Sequence, residues 1–192
     1  LWFESDVYDQ LQLLQVLDWF ADPTHRPARL TRIYTDRVPG GERFEALGAV
    51  APERVRELLA ARVPVSEDEL SAAVDAWAAF REREPRALAA ILDDPRMRAL
   101  PYLRDAVRRL LAELPDTACG LTRTESNATR LLAEQAQTRE ALFRRAQDLE
   151  ARPFLGDIWF WRMLERLADG ATPLLERRAS AADPAFGRGH LW

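Results

Sequence analysis

The chain reads as an α+β protein, mostly α, on three observations. Residues 1–36 run strand, helix, strand; residues 51–115 carry successive apolar stripes at helical spacing; residues 116–178 hold three short helices marked by caps and breakers. These predict a partial βαβ layer at the N-terminus (1–50), a helical middle (51–115) and a winged helix-turn-helix-like C-terminal module with a short tail (116–192).

Leu1-Trp2-Phe3 reads as the end of a buried strand, and the strands beside it are expected upstream of a chain that starts without Met. Val7 to Phe20 reads as a helix. Val7, Leu11, Leu14 and Leu17 form its stripe, Asp6 suits the N-cap and Asp9 complements the helix dipole. Pro23 and Pro27 end it, and Leu30–Thr35 alternates as a β-branched second strand. A strand, crossover helix and strand predict parallel pairing. A loop around Pro39-Gly40-Gly41 follows.

In the middle region Pro52 starts a helix with Val55, Leu58 and Leu59 on its buried side. Ser66-x-x-Glu69 is a capping box before Leu70, Val74, Trp77 and Phe80. Pro85 starts a short helix with Leu88, Ile91 and Leu92. Pro101 opens another, striped by Leu103, Val107, Leu110, Leu111 and Leu114. Trp77, Leu103, Val107, Leu110 and Phe160 are expected to be nearly fully buried.

Toward the C-terminus Thr122-x-x-Glu125 is a second capping box, opening a helix that buries Ala128, Leu131 and Leu132. Thr138 caps a helix buried through Leu142, Phe143, Ala146 and Leu149. Pro153 and Gly156 break the chain again, Asp157 caps a third helix, Gly170 ends it, and Thr172–Leu175 reads as a short strand. Three short helices and a strand are the order of a winged helix.

Composition narrows the chemistry. All 27 basic residues are Arg, so Schiff-base, pyridoxal phosphate and P-loop Lys chemistry are excluded. Two histidines cannot build a His-rich metal site. Hydrophobic residues at 47% and charged residues at 30% are globular proportions and exclude a disordered chain. Cys119 is the one cysteine, which permits no internal disulfide, reads as a buried or half-buried structural thiol, and suits a reducing, cytoplasmic compartment. No apolar run approaches the ~18 residues of a membrane helix, so no membrane partner is expected. The Arg-only, Ala-rich composition suggests a bacterium with a GC-rich genome.

Two candidate sites emerge. Ile158-Trp159-Phe160-Trp161 puts four apolar residues in a row, and at about 100° per residue they cannot share one core face. Phe160, Met163, Leu164 and Leu167 form the expected buried side. Trp159, Arg162 and Arg166 then share an edge that could stack on bases and engage phosphates, or pack internally with the arginines paired to Glu165 and Asp169. Residues 122–178 hold ten Arg against nine acids, a net of +1, which is far from a strongly basic nucleic-acid domain. The second site is acidic: Glu4, Asp6 and Asp36 follow the two strands, where ligands of open parallel sheets bind. Residues 1–24 carry five acids and no base, which suits a divalent cation or a basic substrate group; the same acids also suit a helix cap, a dipole complement and solvated loops. No nucleotide-binding Gly fingerprint follows either strand.

The stretches LWFESDVYDQLQLLQVL, ALGAVAPERVRELL, VDAWAAFREREPRAL, LPYLRDAVRRLLAELP, GLTRTE and FLGDIWFWRMLERLADGATPLL resemble the bacterial family called domain of unknown function 1835. The resemblance covers most of residues 1–178 and implies an α/β portion upstream, with this chain matching the family's middle and C-terminal parts. The family pattern often carries His where Ser5 stands, and the tail after Glu176 departs from it. The resemblance implies architecture and no mechanism. The expectation for function is a cytoplasmic bacterial regulatory or interaction protein whose winged-helix-like module binds DNA or a protein partner. The alternative is an enzyme with an acidic, divalent-cation-dependent site at Glu4, Asp6 and Asp36. The sequence names no cofactor and no protein metal ligand set.

Overall fold

In the structure, a computed structural model, residues 1–44, 46–169, 171–179 and 190–191 are described. The chain forms two compact units, Leu1–Leu111 and Ala112–Trp192, where the sequence suggested three segments. Residues 51–111 share a unit with the N-terminal layer because their apolar stripes pack on its helix.

In the first unit, Asp6 takes extended backbone and its carboxylate accepts from the amides of Tyr8 (2.8 Å) and Asp9 (3.1 Å), opening α1 (Val7–Ala21) as expected of an N-cap. Strand β1 (Trp2–Phe3) pairs parallel with β2 (Thr31–Tyr34), Trp2 beside Ile33. Helix α2 (Pro52–Ala60) then leads to an unexpected third strand, β3 (Val63–Pro64), antiparallel to β2 with Arg32 opposite Val63. The sheet order is β1-β2-β3. The Ser66/Glu69 capping box opens α3 (Glu67–Arg81), and α4 (Pro85–Ala90), a 3₁₀ turn at Pro95–Ala99 and α5 (Leu103–Leu111) complete the unit.

The core of this unit joins Leu13, Leu14 and Leu17 of α1 to Leu70, Ala73 and Ala76 of α3, with Met97, Leu100, Leu103 and Val107 beneath them. Trp77 is only half-buried, against expectation. Three alanines, Ala72, Ala73 and Ala76, hold the centre of α3, where α1 packs, and the larger ring is left at the rim. There Trp77 stacks on Phe80 at 5.4 Å, with the Arg81 guanidinium 5.7 Å from its ring. Leu110 is likewise half-buried. Leu114 is 48% exposed because α5 ends at Leu111, before the expected stripe does. Leu59 is exposed while Leu58 is buried, as adjacent positions on a helix turned by about 100° require.

In the second unit the Thr122/Glu125 capping box opens α6 (Arg123–Glu134) and the Thr138 hydroxyl caps α7 (Arg139–Gln147). A loop then leads to α8 (Asp157–Ala168), so no continuous helix crosses residues 138–168. Ala128, Leu131, Leu142, Ala146, Phe160, Met163, Leu164 and Leu167 form one core, with Phe143 edge-on to Phe160 at 5.4 Å. Leu149, expected on the buried side of α7, is exposed beyond the helix end. Gly156, and not Asp157, is the N-cap of α8; Asp157 is its first residue and its carboxylate accepts from the Ile158 amide (2.7 Å).

Thr172–Leu175 is not a strand. It bends back over the end of α8, where the amides of Leu174 (2.8 Å) and Leu175 (3.2 Å) satisfy the Leu167 carbonyl. Strands instead form at β4 (Arg178–Ala179) and β5 (His190–Leu191), paired antiparallel. Gly170 and most of the tail, including residues 180–189, lie outside the described residues.

The burial pattern sets a contrast between two leucines of one expected stripe. Leu103→Ala should cost about 2–5 kcal/mol in a denaturant melt, the range for a fully buried Leu. Leu114→Ala, at an exposed position, should change stability by less than about 0.5 kcal/mol.

Candidate functional site

The loop entering α8 is held from α7. Gln147 accepts from the Phe154 amide at 3.1 Å through its side-chain oxygen and donates to the carbonyls of Phe154 (2.7 Å) and Leu155 (3.1 Å). Leu155 takes a left-handed conformation, φ 63°, unusual for a residue with a side chain. This clamp delivers α8 with Phe160, Met163, Leu164 and Leu167 buried, as its spacing predicts. Ile158 and Trp159 are left 59% and 60% exposed. Trp161, by contrast, is half-buried with the Arg139 guanidinium 4.2 Å from its ring centroid.

The face predicted from spacing is assembled, with different pairing. Arg162 lies over Trp159, its guanidinium carbon 5.0 Å from the ring centroid. Among the described residues no carboxylate stands within ion-pair distance of Arg162. Arg166 reaches back to α6, where it meets Glu125 at 3.4 Å. The expected partner Asp169 instead pairs with Arg177 at 3.0 Å. Trp159, Arg162 and Arg166, with Leu155 and Met163, line a groove of about 470 Å³ in this unit. Glu113, Glu165 and Asp169 also line it, so the groove has mixed charge.

The acidic residues of the first unit are placed in quite another way. Glu4 accepts the Leu47 amide at 2.8 Å, binding the loop after β2 to the end of β1. Its own amide donates to Asp9, and its carbonyl accepts from buried Gln10 at 2.8 Å. Asp6 is the cap of α1. Asp36 meets Arg43 at 3.2 Å and Arg37 at 3.9 Å, and accepts from the Tyr102 hydroxyl at 3.3 Å. Each carboxylate is therefore engaged by the fold itself. Ser5, between the two acids, is buried. Desolvation pushes the carboxyls of Glu4 and Asp6 above their ordinary range; for Glu4 the Leu47 amide opposes the shift, and the charges of Asp9 and Asp6 add to it. Among the described residues no group of three or more His, Cys, Asp or Glu is arranged to hold a metal ion.

Cys119 is exposed, contrary to the expected structural thiol. It sits in a tight turn before Gly120 (φ 73°), where the Asp116 carboxylate accepts the Ala118 and Cys119 amides. The turn closed by the Asp116 carboxylate is a local polar structure, and the thiol on it stays exposed. Gln147 had no signal in the sequence, because a glutamine at a helix end is ordinary until the loop it holds is seen.

No family model, no curated protein and no solved structure matches this chain. The site is read from its own geometry.

The raised Glu4 carboxyl gives a signed pH dependence. A folded-state pKa above the unfolded one means the folded chain holds the proton more tightly, so the wild type loses stability as pH rises through that interval. Glu4→Gln keeps an acceptor for the Leu47 amide and removes the charge. At pH 7 the variant should match or exceed the wild type in denaturant melts, and the difference should close as pH falls below about 4, where carboxyls are protonated in both states.

Proposed function

We propose that this is a regulatory or interaction protein whose second unit, Ala112–Trp192, is a winged-helix-like module that engages its partner through the exposed face of α8. The observation that carries the reading is the pairing of Trp159, 60% exposed, with an Arg162 guanidinium that has no ion-pair partner among the described residues. The order α6, α7, α8 followed by the antiparallel β4–β5 pair supports the winged-helix element of the reading, with α8 in the recognition position. Kinship with the domain of unknown function 1835 family, proposed on the stretches quoted above, adds architecture without mechanism.

The near-balance of Arg and acid and the acids in the groove favour a protein partner over a phosphate backbone. Ile158 and Trp159 supply the apolar anchor such an interface needs, and Arg162 its charged neighbour. Nucleic acid is the second reading, favoured by an aromatic ring and a guanidinium on one helix edge. The enzymatic alternative has less support, since Glu4, Asp6 and Asp36 each have intramolecular work. No helix among the described residues is long and apolar enough to cross a membrane.

A photoreactive benzophenone side chain at Ile158 should crosslink one discrete protein in the cell of origin, and Trp159→Ala should abolish the product. The same probe at Leu59, an exposed position of the first unit, should give nothing. Equal crosslinking from both positions, or none from Ile158, would remove the reading. Anisotropy with duplex and single-stranded oligonucleotides at two salt concentrations tests the second reading. If nucleic acid binds here, Arg162→Ala should lower the salt slope by about one and Trp159→Ala should leave it unchanged while weakening binding about tenfold or more.

A further inference from the structure

We infer that the partner of α8 is a second copy of this chain, and that two copies pair their α8 helices antiparallel about a two-fold axis. The inference rests on α8 being a partner-binding face and names the partner. Ile158, Arg162, Glu165 and the C-cap Asp169 are all exposed and follow one another at spacings of four, three and four residues. At about 100° per residue they fall within roughly 60° of one another around the helix, opposite the buried Phe160 and Leu167. That spacing is the seam of a two-helix coiled coil, and it reads the same in both directions.

Reversal makes the seam self-complementary in charge. In an antiparallel pair Arg162 lies opposite the partner's Glu165, and the two-fold axis makes that pair twice. Arg166 is already paired with Glu125 and Asp169 with Arg177, whereas among the described residues neither Arg162 nor Glu165 forms an ion pair within the chain. Each copy thus brings one uncommitted cation and one uncommitted anion to the seam. A partner of a single charge sign would satisfy one and repel the other; a copy of the same seam satisfies both. The ends of the seam are apolar. Ile158 and Trp159 stand exposed at one end, and at the other Asp169 lines a concavity of about 430 Å³ with Pro173 and the exposed Leu174. Antiparallel pairing brings the apolar end of each helix to the concavity of the other. The twelve residues of α8 rise only about 18 Å, so the contact is at the low end of interface size. Its charged centre fixes the register at a cost in stability, and the dimer is a transient one.

Sedimentation equilibrium of the purified chain, from micromolar to millimolar concentration, tests this. The wild type should show a monomer–dimer equilibrium with a dissociation constant of about tens of micromolar. Arg162→Glu and Glu165→Arg each set like charges against one another, so each variant alone should dimerise about tenfold or more weakly. An equimolar mixture of the two should recover the dimer, because every pair across the axis is then opposite in sign. The double variant R162E/E165R should recover it as well, and recovery on mixing shows that both single variants are folded. A benzophenone at Ile158 of the purified protein should crosslink near the partner's Asp169 and the partner's Leu174, as read by peptide mass spectrometry. A chain that stays monomeric at millimolar concentration, or a mixture that associates no better than either variant alone, would overturn the inference. In that event an Ile158 crosslink to a different protein in the cell would still leave α8 a partner-binding face, whereas no crosslink would remove both readings.

Discussion

The first unit depends on one carboxylate. Glu69 is almost fully buried in the first turn of α3, where it closes the capping box by accepting from the Ser66 amide (2.9 Å) and hydroxyl (3.0 Å). Its other oxygen takes the guanidinium of Arg32, which comes from β2, the central strand of the sheet. One side chain thus starts a helix, satisfies its own burial and ties that helix to the sheet. A charge in such a place is tolerated only while its partners are present. A second tie runs from Arg26, which covers the Phe20 and Ala21 carbonyls at the end of α1 and meets Glu67 of α3 at 2.5 Å.

The second unit repeats the device in a weaker form. Glu125 closes the capping box of α6 by accepting the Thr122 amide at 2.9 Å, and Arg166 arrives from α8 at 3.4 Å. Here the Arg is largely exposed and the distance long, so solvent screening leaves the pair little energetic weight. The contrast explains the division of labour between the units. Charges of the N-terminal layer are consumed in capping, strand-loop closure and pairing, which accounts for Glu4, Asp6, Asp36 and Glu69 together. On α8 the hydrophobic core and the Gln147 clamp already fix the helix, and Trp159 and Arg162 are not needed for it.

Elements with a local chemical signature were legible. Both capping boxes, the Asp6 and Thr138 caps and the Pro starts of α2 and α4 sit where their residue types require. What the sequence hid was set by tertiary packing. β3 is two exposed residues, one of them Pro, and pairing with β2 alone makes it a strand. Hydrophobic size predicts Trp77 in the core, whereas the packed face of α3 is chosen by its small residues and leaves the ring half-buried. Leu114 continues a stripe that its helix does not reach. The acidic cluster was visible as composition, but its commitment to Leu47, Arg43 and Tyr102 depends on partners 43, 7 and 66 residues away, one of them a backbone amide. The α8 face was legible because four consecutive apolar residues cannot all be buried by one helix side, and this geometric conflict is local.

The Glu69 carboxylate and its Arg32 partner hold the first unit together, whereas the aromatic and cationic face of α8 is not needed for the fold of its own unit. Parallel denaturant melts of Glu69→Ala, Trp159→Ala and Arg162→Ala test it most directly. Glu69→Ala should cost about 3–5 kcal/mol, since it leaves Arg32 without its buried partner. Trp159→Ala and Arg162→Ala should each stay within about 1 kcal/mol of the wild type, as exposed side chains joined by one cation–π contact do. A loss of several kcal/mol from either α8 variant, with Glu69→Ala near neutral, would contradict the account.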